Sequence, residues 1–140
     1  MNTFQHHTHP VSAARLRALP LGDITEVYGE PGLRRRLTLE LKRLPVADRR
    51  VISDAAAWAA LLHLGQRRTR EPYLNHPLRV TLRILCYYHV EDRDVLVAAL
   101  LHDAIEDQPW RVVGLPSDHG PPPREEAIAA LAEWCGPRVA

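Results

Sequence analysis

Seven consecutive apolar residues, Val95 to Leu101, run without a break into His102-Asp103-Ala104-Ile105-Glu106-Asp107, and this junction restricts the architecture more than any other stretch. Such a run predicts a helix from about Asp92 that is buried on nearly all sides, so other elements must surround it. It then delivers an imidazole and three carboxylates within six residues. Burying those groups without partners is strongly unfavourable. Asp103 lies three and four residues before Glu106 and Asp107, and His102 lies four before Glu106, so the groups share neighbouring faces of one helix end. Two readings follow. A divalent cation sits on His102 and Asp103 while Glu106 and Asp107 handle a water, or the helix leaves the core at Leu101 and its polar end is solvated.

Other segments supply the surrounding helices. Leu33, Leu37, Leu41 and Leu44 recur at helical spacing among Arg34, Arg35, Arg36, Lys42 and Arg43, predicting a basic amphipathic helix from Gly32 to Leu44 that ends before Pro45. An alanine-rich segment predicts a second helix from about Asp48 or Val51 to Leu64, with Gly65 as its stop. A turn over 66–75 leads to His76-Pro77. Pro77 suits a first helical position and puts His76 at the cap, followed by Leu78, Leu82, Leu85 and His89 on one face. Gln108 to Pro123 reads as a long proline-rich loop before a last helix from Arg124 to Trp134. No alternating strand pattern of useful length appears, so the predicted class is all-α. Residues 1–30 hold scattered apolar positions and read as a weakly ordered extension, in which His6, His7 and His9 form a frayed polar tract.

At a helix N-terminus the dipole opposes protonation of His76, and the neutral imidazole is the form that binds metals. One helix begins at His76 and the next ends just past His102, so antiparallel packing would bring the three groups together. Two histidines and an aspartate suit Mn, Fe or Zn better than Mg or Ca. A chain of 140 residues needs no staple to fold. Its two cysteines, Cys86 and Cys135, make neither a disulfide framework nor a thiolate zinc site. No span of membrane length and no signal peptide is apparent, and the expected location is cytoplasmic. Residues 31–90 hold 12 Lys and Arg against 4 Asp and Glu, and residues 91–140 hold 4 against 10. The basic helix with Arg34, Arg35, Arg36, Lys42 and Arg43 lacks interleaved aromatics, so a solvated face is expected in preference to a nucleic-acid site.

Three motifs in order carry a family resemblance. They are His63-Leu64-Gly65-Gln66-Arg67-Arg68, then Glu71-Pro72-Tyr73-Leu74-Asn75-His76-Pro77, then Ala98-Ala99-Leu100-Leu101-His102-Asp103-Ala104-Ile105-Glu106-Asp107. The sequence resembles the hydrolase domain of the RelA/SpoT homologues, HD-superfamily enzymes that remove the 3′-pyrophosphate of (p)ppGpp. The match covers about residues 51–107 and, weakly, 125–139. The resemblance implies an HD-type helical bundle over 46–140, preceded by an extension over 1–45 that carries the basic helix. It implies that His76, His102 and Asp103 bind Mn²⁺, and that Glu106 and Asp107 orient and deprotonate the attacking water. It implies further that Arg67, with Arg68, packs on the guanine or its phosphates, and that His63 has a packing or supporting role. Arg70 stands where the family has a small residue, and the loop over 108–123 is longer than the family pattern. The family takes a fourth ligand, an aspartate, from a later helix, so the domain is expected to be C-terminally incomplete. The competing expectation is a truncated, non-catalytic module that binds a guanine nucleotide or a protein partner.

Overall fold

A computed structural model describes residues 11–116, 120–136 and 138–139. Helices dominate it: α1 (Ala13–Ala18), α2 (Leu21–Leu41), α3 (Val46–Leu62), α4 (Asn75–Cys86), α5 (Arg93–Asp107), α6 (Pro109–Val113) and α7 (Arg124–Cys135). Two short strands, β1 (Arg67–Arg68) and β2 (Glu71–Pro72), pair antiparallel as Arg67 with Pro72 and Arg68 with Glu71. The all-α class expected from the sequence therefore holds apart from this hairpin. A pair of two-residue strands is too short to leave a period-2 signature.

The helix rich in apolar residues is central. α3 and α4 pack along α5, α2 packs against α4, and α7 closes over α5 and α6. Leu96, Val97, Leu100 and Ala104 of α5 are fully buried, while Val95 is exposed at its start. Asp92 caps this helix, its Oδ1 accepting from the amides of Asp94 at 2.8 Å and Val95 at 3.4 Å. Trp58 of α3 and Trp134 of α7 meet with ring centroids 4.9 Å apart.

Several expectations need correction. From Val11 onward the first thirty residues are not a loose extension: Leu16, Leu21 and Ile24 belong to the same core as Leu78, Leu100 and Leu131. The histidines His6, His7 and His9 lie outside the described residues. The basic helix begins eleven residues earlier than expected, at Leu21, and bends at Gly29 before Pro31. Its Leu33, Leu37 and Leu41 are buried, as the spacing predicted, and so is Leu44, which lies past the helix end at Leu41. Its basic face is not simply solvated. Arg36 is buried, binds Glu40 at 2.9 Å, and donates to the carbonyls of Leu16 at 2.9 Å and Leu19 at 3.3 Å. Arg34 pairs with Glu30, and Arg43 with Glu40 and Glu91. α4 starts at Asn75 with Leu74 at its cap, so His76 lies inside the first turn, and His89 falls beyond the helix end. The expected loop over 108–123 opens with α6, in which Arg111 donates to the carbonyls of Leu62 at 2.9 Å and Leu64 at 2.8 Å. Those carbonyls belong to the end of α3, where few backbone donors are available. No helix among the described residues is long and apolar enough to cross a membrane.

Candidate active site

The first turn of α4 and the last turns of α5 meet at one end of the bundle. His76 Nε2 lies 3.7 Å from Asp103 Oδ2, and His102 Nε2 lies 2.9 Å from Asp103 Oδ1. One carboxylate is thus bracketed by two imidazoles, as the antiparallel arrangement predicted. His102 Nδ1 stands 3.2 Å from the carbonyl of Ala99, which can only accept, so Nδ1 carries the proton. Nε2, facing a carboxylate oxygen at 2.9 Å, then either carries a second proton, which makes the ring an imidazolium paired with Asp103, or turns its lone pair to a cation shared with that oxygen. Asp103 Oδ2 is buried and lacks a hydrogen-bond partner. A buried carboxylate oxygen in that condition calls for the same kind of compensation.

Among the described residues no three His, Cys, Asp or Glu groups already stand in a closed ligand cluster. The donor set nevertheless suits a divalent ion: two nitrogens and an anionic oxygen converge pairwise, and the histidine tautomer is fixed from behind by a backbone carbonyl. Burial, with added opposition from the positive charge of Arg68, lowers the pKa of His76 and favours its neutral, metal-binding form.

The remaining predicted residues take distinct places. Glu106 is exposed on the last turn of α5. Asp107 accepts from Gln66 Nε2 at 3.2 Å across the gap between α5 and the neck of the hairpin. Arg67 and Arg68 are separated because successive strand residues face opposite sides. Arg67 lines a cleft of about 700 Å³ with Arg34, Leu61, Leu64 and Gln66, and its Nη2 donates to the carbonyl of Arg70 at 2.8 Å. Arg68 lies on the side whose charge reaches Glu71 and His76. His63 is buried, and its Nδ1 is 2.8 Å from Gln66 Oε1.

Sequence reasoning assigned no role to Tyr73, Glu71, Gln66 or Gln108. The Tyr73 ring lies between His63 and His76, at centroid distances of 4.8 and 6.0 Å. Burial, reinforced by the negative charges of Asp103 and Asp107, pushes its phenol pKa upward and keeps it a donor beside both carboxylates. Glu71 receives both Arg79 Nη1 at 2.7 Å and Arg79 Nη2 at 3.0 Å, and Asn75 Nδ2 at 2.9 Å, which ties the hairpin to α4. The Glu-Pro-Tyr motif held these two residues in view, but nothing in the spacing told a clamp from a ligand.

Fold and site together define a helical protein with a mixed imidazole and carboxylate cluster at one end of its bundle. Its relatives are more specific. Over 65 residues, 44% of this chain, it is 48% identical to the guanosine-3′,5′-bis(diphosphate) 3′-pyrophosphohydrolase MESH1 of Xenopus tropicalis, and the match takes in 36% of that protein. Human MESH1 is 44% identical over 57 residues, 39% of this chain and 32% of its own. The guanosine-3′,5′-bis(diphosphate) 3′-pyrophosphohydrolase of Haemophilus influenzae is 42% identical over 59 residues, 41% of this chain and 8% of its own. The chain thus spans about a third of the length of the MESH1 relatives it matches and a much smaller share of the bacterial one. This partial similarity agrees with the resemblance carried by the motifs. No family model matches the chain. No solved structure matches it either.

Proposed function

We propose that the protein is a metal-dependent phosphohydrolase of the HD type that removes the 3′-pyrophosphate of (p)ppGpp. The observation that carries this reading is the pair of imidazole nitrogens facing opposite oxygens of Asp103, one of those oxygens buried without a partner. His76, His102 and Asp103 would hold the ion, with Mn²⁺ the expected occupant. When bound, a divalent ion supplies a more acidic water and draws charge from the phosphoryl oxygens.

The protein's own groups do the rest. Glu106 and Asp107, one turn beyond Asp103, orient the water and take its proton. Asp107 is held in place by Gln66. Tyr73 is kept protonated beside the carboxylates, and its ring walls the site between His63 and His76. Arg68 faces the His76 side and suits the phosphates, while Arg67 belongs to the adjacent cleft and suits the base or a second phosphate. The domain organisation that goes with this reading is a hydrolase segment of the HD type over 46–140.

Metal analysis of the purified protein together with release of pyrophosphate from ppGpp tests the proposal. We expect one Mn²⁺ bound per chain and turnover that His102→Ala abolishes along with metal uptake. Binding of guanine nucleotide without turnover would favour the non-catalytic module instead.

A further inference from the structure

Gln66 occupies the neck of the hairpin with its backbone held from both sides. Its amide donates to the carbonyl of His63 at 2.9 Å, and its carbonyl accepts from the amide of Tyr73 at 2.9 Å. The side chain is held as firmly. Its Oε1 faces Gln108 Nε2 at 2.8 Å and His63 Nδ1 at 2.8 Å, and its Nε2 reaches Asp107 Oδ2 at 3.2 Å. Gln108 follows Asp107 directly and is anchored by its own amide, which donates to the carbonyl of Ala104 at 2.8 Å.

The chemistry of the partners fixes the orientation of the Gln66 amide. A carboxylate only accepts, so the group facing Asp107 must be the NH₂. The oxygen then points the other way, into two donors. His63 must therefore carry its proton on Nδ1, which leaves its buried Nε2 as a bare acceptor, and Nε2 is indeed without a partner. His63 and Gln108 thus hold one rotamer of Gln66, and Gln66 holds one rotamer of Asp107.

We propose that Gln66, locked by His63 and Gln108, is a positioning residue that aims the Asp107 carboxylate at the attacking water. This rests on the reading in which Asp107 handles that water. Gln66 makes no hydrogen bond to His76, His102 or Asp103 and acts on the reaction only through Asp107. Its effect is to remove rotational freedom from a side chain on the last turn of α5, where neighbouring backbone offers little restraint. Reaction geometry is sensitive to displacements of this size, and removing such a supporting hydrogen bond ordinarily costs about 10- to 100-fold.

The test removes the bond to Asp107 at its donor. Gln66→Glu puts an acceptor in place of the NH₂ that faces Asp107, and Gln66→Met removes hydrogen bonding there at similar size. Histidine ¹⁵N spectra at pH 8 and ppGpp hydrolysis with Mn²⁺ are measured on the full chain of the wild type and each variant. We expect His63 protonated on Nδ1 in the wild type, and kcat about 10- to 100-fold lower in both variants with KM and Mn²⁺ content unchanged. A wild-type His63 protonated on Nε2 alone overturns the proposal, as does an unchanged kcat in either variant or a fall in kcat that comes with lost Mn²⁺. If His63 is protonated on Nδ1 but the wild type shows no hydrolysis, the locked amide is supported, while the hydrolase reading and the catalytic purpose of the lock both fall.

Discussion

Glu71 shows how a residue in a functional motif can owe its place to structure. Its bidentate pairing with Arg79 joins the hairpin to α4, and Arg79 reaches on to Thr25 Oγ1 of α2 at 3.4 Å. The hydrogen bonds from Arg79 hold the Glu71 carboxyl at about 2, against an ordinary 4.5. A folded-state pKa below the unfolded one stabilises the protein above the unfolded value, and that stabilisation is lost as pH falls toward the folded value. We therefore expect Glu71→Gln to melt below the wild type at pH 7, with the gap shrinking from about pH 4.5 down to about pH 2. Thermal melts at pH 7, 4 and 2 check this, and a gap independent of pH would contradict it. At this scale His76, His102 and Asp103 were legible because metal-type donors on helix ends leave a spacing. The Gln66 lock was not legible, because its partners His63, Asp107 and Gln108 come together only when α3 and α5 pack.

At the scale of the element, the leucine spacing marked the second half of α2, but its first half was hidden. Gly29 and Pro31 interrupt the pattern, and both ordinarily signal the end of a helix. Here they bend it. Gly29 sits at φ 64 and ψ −152, a region open to glycine and costly for residues with a Cβ. The bend lets Leu21 and Ile24 reach the core on one side of it while Leu33 and Leu37 do so on the other. We expect Gly29→Ala to destabilise the protein by about 1–3 kcal/mol through backbone strain. Gly22→Ala provides the contrast. That glycine lies within the helix with nothing within 4 Å of an added Cβ, so the substitution should stabilise by about 0.5–1 kcal/mol. Urea unfolding of both variants measures the two effects, and equal signs would refute the distinction. The short α6 was missed for a related reason: five residues, from Pro109 to the residue before Gly114, are too few for periodicity to register.

Across the whole molecule, the segment before the motifs turns out to support the site rather than precede it. Leu16 has no helical partners within its own short segment, and its burial depends on distant contacts. Arg36 supplies one of them, donating from the middle of α2 to the carbonyls that end α1. α2 in turn packs on α4, whose first turn carries His76. A single apolar cluster therefore runs from Leu16 to Val139 and passes beneath both helices of the site. Stability at the N-terminal end and integrity of the histidine cluster should accordingly be lost together. Leu16 is fully buried, so Leu16→Ala removes transfer energy and leaves a cavity, at a cost of about 2–5 kcal/mol. In a cooperative domain that loss lowers one common transition. We expect the melting curve followed by tryptophan fluorescence, from Trp110 of α6 and from Trp58 and Trp134 at the α3 and α7 contact, to shift down together with the far-ultraviolet helix signal. A frayed extension would instead leave the tryptophan transition where it was, because α1 could then come apart without disturbing the helices that carry the site.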